Sequence, residues 1–168
     1  MDEESQQLIA CIPRLRRYAR ALVGNGALAD DLVQDTMERG WRKLATWRRG
    51  SDMRAWLFGI MHNAYVDQVR RPGLVTETLD EGQAQPAVDG QQEQRLALRD
   101  LESALRLLPS EQREVLLLVA LEELSYAEVA EALGIPVGTV MSRLARGRER
   151  LRAAMEGCVP ASPFKVVK

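Results

Sequence analysis

The chain is short of the residues that most often betray chemistry. Its 168 residues include two cysteines and one histidine. Cys11 and Cys158 lie far apart, so no disulfide framework is expected. With His62 as the sole histidine, no Cys/His zinc site is expected, and neither a metal nor a cofactor is implied. No apolar run approaches the roughly 20 residues a spanning helix needs, so no membrane insertion is expected. The opening MDEESQQ is acidic and polar, unlike a secretory leader. No segment alternates with strand period over a convincing length. Nucleophile–base pairs, glycine-rich phosphate loops and metal-ligand clusters are all missing, so no enzyme is expected. These absences fit a cytosolic helical protein that works by binding.

What is present is charge, unevenly placed. The formal net charge of −1 argues weakly against a nucleic-acid partner. The distribution argues the other way. Residues 1–72 carry a net +3, residues 73–100 a net −4, residues 101–136 a net −5, and residues 137–168 a net +5. A basic block after acidic ones is a local electrostatic footprint, which the total conceals.

Helical periodicity divides the rest. Leu8, Ile12, Leu15, Ala19 and Leu22 step by three and four, which predicts one helix over about 4–22. A second is predicted over 28–44, with Leu32, Val33, Thr36, Gly40, Trp41 and Leu44 inward. The loop 45–52 follows, and Ser51 or Asp52 can cap a third helix to about Arg71. Residues 73–92 are acidic and rich in Gly, Pro and Gln, too apolar-poor to offset their ordering entropy, and read as a flexible linker. Four helices are expected beyond it, with Leu98, Leu101, Leu105 and Leu108 on one stripe of the first. The chain is therefore expected to be all-α, with two small helical domains, 1–72 and 93–156, and a tail, 157–168. Contrast between the acidic stretch 73–136 and the basic stretch after it points to a compact, self-masked free form.

The most specific local signal is SYAEVAEALGIPVGTVMSRLARGRERLR, residues 125–152. A helix-turn-helix needs a small residue where two helices touch, a turn residue, and an apolar anchor on the second helix. Ala130, Gly134 and Val140 supply these, and Pro136 suits the second helix's first turn. The polar face of that helix carries Thr139, Ser142, Arg143, Arg146 and Arg150. Arginine forks read guanine edges or clamp phosphates, and the N-terminal part of such a helix enters the major groove. Thr139, Ser142, Arg143 and Arg146 are assigned to bases and nearby phosphates; Arg148, Arg150 and Arg152 to phosphates.

In the first domain, Asp31, Gln34, Asp35 and Glu38 share one helix face, which reads as a solvated stripe or as a docking face for a basic partner. The loop ATWRRGSD places an aromatic among small polar and basic residues. Trp56, Asn63, Asp67 and Arg70 follow at helical spacing, a pattern suited to extruded bases, where rings stack and polar groups bond exposed edges. Trp41 reads as core, Trp56 as either core or base platform, and His62 as a surface or DNA-facing residue.

The runs ADDLVQDTMERGWRKL, SDMRAWLFGIMHNAYVDQVRR and ALRLLPSEQREVLLLVALEELSYAEVAEALGIPVGTVMSRLARGRERL resemble, in order, sigma region two and sigma region four of the extracytoplasmic-function sigma factors. The resemblance covers about four-fifths of the chain. It implies a region-two-like three-helix domain and a region-four-like helix-turn-helix domain. Asp31, Gln34, Asp35, Glu38 and Trp41 would dock on the clamp helices of the largest subunit of core RNA polymerase, with the flap region as a further contact. Thr46, Trp47, Arg48, Arg49 and Gly50 would form the loop that captures a flipped base of the minus-ten element. Trp56, Asn63, Asp67 and Arg70 would read and melt that element. Thr139, Ser142, Arg143, Arg146, Arg148 and Arg150 would hold the minus-thirty-five element. The linker would thread toward the active centre of the polymerase. An anti-sigma factor acting in a stress response is implied as a partner, with a cytoplasmic location or retention at the membrane through that factor. Met141 and Ala145 depart from the family pattern, so the minus-thirty-five preference is expected to differ. The competing expectation is a free-standing dimeric helix-turn-helix regulator that binds a palindrome without polymerase.

Overall fold

The computed structural model describes residues 1–71 and 92–157. The linker and tail expectations fall outside the described residues. Eight α-helices are formed: α1 (Glu3–Ala10), α2 (Ile12–Val23), α3 (Gly26–Arg42), α4 (Met53–Arg70), α5 (Gln92–Arg106), α6 (Ser110–Ala120), α7 (Tyr126–Leu133) and α8 (Val137–Met155). A 3-10 turn, Leu44–Thr46, sits between α3 and α4. Among the described residues there is no strand, and the fold is all-α as expected.

The single helix expected over 4–22 is two helices. Pro13 lies in the first turn of α2, with Cys11 at the junction. Proline has no N–H to donate and its ring collides with the carbonyl four residues back, so α1 cannot continue into α2. The other boundaries follow local chemistry. Asn25 accepts from the Leu28 amide to start α3, and Asp52 accepts from the amides of Arg54 and Ala55 to start α4.

In the first unit, Leu8, Leu15, Ala19 and Leu22 pack on Leu32, Val33, Leu57 and Met61. Tyr18 and Phe58 meet edge-on at 4.9 Å between centroids. In the second, Leu105, Leu108, Val115 and Leu118 pack on Val129, Val140 and Leu144. The apolar run of α6 is buried through Val115–Leu118, as its all-round hydrophobicity requires. Leu98 departs from the expected stripe: it is 55% exposed, because burial on α5 begins only near its end, at Ala104 and Leu105.

The two units pack together, α2 against α6 and α4 against α7. Gly59 sits at the second contact, where a Cβ would stand 3.6 Å from the backbone of Ala132, in ordinary van der Waals contact, with no room for a larger side chain beyond it. Arg113 of α6 joins the carboxyl ends of α5 and α2. It donates to Leu105 O at 2.8 Å, Leu108 O at 2.9 Å and, in the other unit, Leu22 O at 2.9 Å. Arg106 likewise donates to Gly24 O at 2.9 Å. Cations at the carboxyl end of α2 complement its exposed carbonyls and its dipole. Arg54 donates to Glu122 O at 2.8 Å, and Arg17 pairs with the fully buried Glu122 carboxylate at 3.3 Å. The polar ties between the units come from α2, α4, α5, α6 and the segment after α6 rather than from the basic α8, whose Ser142, Arg146, Arg148 and Arg150 stay exposed, so they do not follow the self-masking expected from charge.

Candidate nucleic-acid interface and docking faces

The helix-turn-helix is built as its sequence requires. Ser125 and Glu128 form a capping box at the start of α7, each side chain bonding the other's backbone amide. Gly134 ends α7 at φ 67°, and Ile135 N–H returns to Ala130 O at 3.0 Å. This left-handed stop turns the chain sharply into α8. Val140 and Leu144 are buried and hold α8 against α6 and α7. Pro136 stands just before α8 as its N-cap.

The opposite face of α8 meets solvent. Ser142, Arg146, Arg148 and Arg150 are exposed, while Thr139 and Arg143 are half-buried. Thr139, Ser142, Arg143 and Arg146 line one open cleft of about 550 Å³ with Glu111, Gln112, Pro136 and Gly138. The Ser142 hydroxyl donates to Gly138 O at 3.0 Å, leaving its lone pairs outward. Arg143 lies 3.8 Å from Glu111. The structure thus gathers the expected reading residues on one cationic face with the first turns of α8 at its rim.

The first unit carries two more faces. On α3, Asp31, Gln34, Asp35 and Glu38 line a shallow groove with Leu28 and with Gln68 and Arg71 from the neighbouring segment. Trp41 corrects the expectation that it belongs to the core: it is 51% exposed at the end of this face. Its neighbour Gly40 is the residue that α3 turns inward.

The loop before α4 differs in the opposite sense. Trp47 is 8% exposed and packs in the core, so it does not offer a free ring for stacking. Its buried Nε1 has no partner. The exposed members are Thr46, Arg48, Arg49 and Gly50. Thr46 donates to Lys43 O, Arg49 pairs with Glu4, and Gly50 holds φ 85°. On α4, Asn63, Asp67 and Arg70 are exposed along one face, and Trp56 is half-buried against the core. His62 corrects its sequence reading: its Nδ1 lies 2.7 Å from Oε1 of the buried Glu114, so it faces the second unit rather than DNA.

Sequence reasoning missed Arg39. Its Nε donates to Asp35 at 3.0 Å and its Nη2 to Asp67 at 2.8 Å, linking the acidic face of α3 to the polar face of α4. These bonds, first the one to Asp67, hold the guanidinium even more firmly protonated than usual. The Asp35 half is an ordinary i,i+4 pair and was readable from spacing. The Asp67 half joins residues 28 apart and needed the fold.

Family models match in two blocks: the Sigma2 domain of PhyR over residues 8–62 and Sigma-70 region 4 over residues 98–151. Among curated proteins, the chain is 35% identical over 159 residues to the ECF RNA polymerase sigma factor EcfG of Rhodopseudomonas palustris, spanning 92% of this chain and 86% of that protein. It is 40% identical over 146 residues to the ECF sigma factor SigE of Mycolicibacterium smegmatis, spanning 83% and 56% respectively. Among solved structures, the sigma factor RpoE of Bartonella quintana, bound to the anti-sigma factor NepR, superposes with a TM-score of 0.75 at 32% identity over 90% of this chain and 96% of that one. CnrH, bound to the cytosolic domain of CnrY, does so at 0.68 and 28% identity over 93% and 89%.

Proposed function

The chain belongs to the extracytoplasmic-function sigma factors, and from that premise we propose how its faces divide the work of promoter recognition. It is a sigma factor, a non-enzymatic subunit that directs core RNA polymerase to start transcription at particular promoters. The observation that carries the division is the separation of an acidic face on α3 from a cationic face on α8.

The acidic face, Asp31, Gln34, Asp35 and Glu38 with the exposed Trp41, docks on the clamp helices of the largest polymerase subunit. Opposite charge steers encounter, and the exposed ring at the end of this face adds apolar area to the contact. The second unit meets the flap region. Residues 1–72 thus serve docking and the minus-ten element, and residues 93–156 the minus-thirty-five element. The linker, 73–92, is acidic and suits a basic channel in the polymerase.

On DNA, Arg148 and Arg150 clamp phosphates while Thr139, Ser142, Arg143 and Arg146 enter the major groove of the minus-thirty-five element. Asn63, Asp67 and Arg70, with Thr46, Arg48, Arg49 and Gly50 of the preceding loop, capture unstacked bases of the minus-ten element. Unstacking costs about a few kcal/mol per step, which base capture offsets, so melting needs no ATP. Trp56 reaches this face only in part, and Trp47 contributes by fixing the loop from below.

The sigma factor RpoE of Bartonella quintana was solved with the anti-sigma factor NepR, and CnrH with the cytosolic domain of CnrY. By analogy this chain is held inactive by an anti-sigma factor until a stress signal frees it. No helix among the described residues is long and apolar enough to cross a membrane.

The test is reconstituted transcription with purified protein, core polymerase and a genomic promoter pool, with run-off RNAs sequenced. Specific starts that need both proteins and weaken on Asp35→Arg or Arg146→Ala are expected. Sequence-specific duplex binding by the chain alone, as a dimer and without affinity for core, would favour a free-standing regulator instead.

A further inference from the structure

We propose that Arg39 is a positioning residue for promoter melting: it neutralises and orients Asp67, so that this carboxylate can face the minus-ten strand as a hydrogen-bond acceptor. The inference rests on the assignment of α4 to that strand. Asp67 lies between Asn63 and Arg70 on the outward face of α4, with its side chain 51% exposed. A bare carboxylate there would meet a polyanion and repel it. Arg39 removes that conflict. It donates to Oδ2 of Asp67 at 2.8 Å, and its own side chain is 25% exposed, lying behind the acid rather than beside the DNA.

The guanidinium is held in place from the other side. Asp35 accepts from its Nε at 3.0 Å, leaving the Nη2 edge to Asp67. An arginine fork can serve two carboxylates at once, while an ammonium cannot match both directions. With one oxygen of Asp67 engaged, the other remains for a donor on the strand. The donors a single strand offers to a carboxylate are the exocyclic amines of cytosine, adenine and guanine and the ring N–H groups of guanine and thymine. Thymine has no exocyclic amine and offers its ring N–H alone, so this geometry favours an amine-bearing base over thymine at the position Asp67 meets. Asp35 thereby acquires a second role, anchoring Arg39 as well as contributing charge to the docking face.

The experiment uses holoenzyme assembled from core polymerase and the full chain, with a pool of single-stranded oligonucleotides randomised across the minus-ten window. Wild type is expected to enrich an amine-bearing base at one position. Arg39→Met is expected to weaken capture about tenfold and flatten the preference at that position alone. Arg39→Lys is expected to fall between them. Adding Asp67→Asn to Arg39→Met is expected to recover most of the affinity, because a neutral amide needs no cation. A purely structural role would predict no such recovery. Core affinity and thermal melting of each variant show that folding and docking persist. If wild-type holoenzyme enriches nothing, the minus-ten reading falls and the inference with it. If wild type enriches a motif but Arg39→Met and Arg39→Lys match it in affinity and preference, or if Asp67→Asn gives no recovery, the inference alone is overturned.

Discussion

Asp2 shows how much a single side chain can be asked to do. It accepts from the Ser5 amide at 3.0 Å, and hydrogen bonding from the Ser5 side chain, then from that amide, holds its carboxyl below the usual range. A depressed folded value means that the cap is fully present above the ordinary carboxylate range. It is lost as pH falls through the depressed value. An acid titration of the Ser5 amide by NMR should therefore show α1 fraying in that window, and Asp2→Asn should remove the step. Ser125 caps α7 in the same way, with Glu128 returning the bond. Ser125→Ala should cost about 1 kcal/mol in urea unfolding. Cys11 is half-buried, and burial, with Asp52 nearby, raises its thiol above the usual value. Its alkylation at pH 8 should run slower in the folded chain than in urea, which mass spectrometry can follow. The Asp52 cap was legible in the sequence, as one of two candidates, because its donors lie two and three residues on. The tryptophans were not. Trp41 is out and Trp47 is in because burial depends on what packs over a residue, and ring chemistry is the same in both.

At the level of elements, α8 carries the sharpest expectations. Its apolar and polar residues separate at helical spacing, so the reading face was legible before any coordinates. Arg150→Ala should lower duplex affinity across all sequences and reduce the salt slope by about one unit, as loss of one phosphate contact does. Arg146→Ala should also relax the base preference at one position of the minus-thirty-five element. A selection experiment on randomised duplex, at several salt concentrations with holoenzyme, separates the two. Gly134 has φ 67°, a conformation that a β-branched residue adopts only with strain. Gly134→Val should destabilise the second unit and misdirect α8, seen as lost melting temperature and lost duplex binding together. The break between α1 and α2 was also latent in the sequence, since Pro13 forbids a continuous helix, although the apolar stripe runs straight across it. Periodicity reports which side faces the core and is blind to a change of axis.

For the molecule as a whole, the decisive feature is that the two units clasp each other while leaving the proposed reading faces outside. Asn63, Asp67, Ser142 and Arg146 all remain exposed in the clasped form. The clasp therefore limits separation rather than access. A compact body of this length has a radius of gyration of about 15 Å. Elements centred about 25 base pairs apart, at about 3.4 Å per step, lie about 85 Å apart. On the proposed division of promoter contacts one compact body cannot reach both, so α4 and α7 are expected to part when holoenzyme engages a promoter. Gly59→Leu places a side chain against the backbone of Ala132 and should open the clasp. Small-angle scattering should then give a larger radius of gyration than wild type at the same salt, and an unchanged radius would show that α4 and α7 do not control it. Helix class, the two-unit order, the reading face of α8 and the acidic face of α3 could all be derived from the chain, because each depends on residues within a few turns of one another. The clasp, the His62–Glu114 contact and the Arg39–Asp67 pair could not. They join groups 28 to 105 residues apart, and only the packing of whole helices decides which distant charges come within a bond's length.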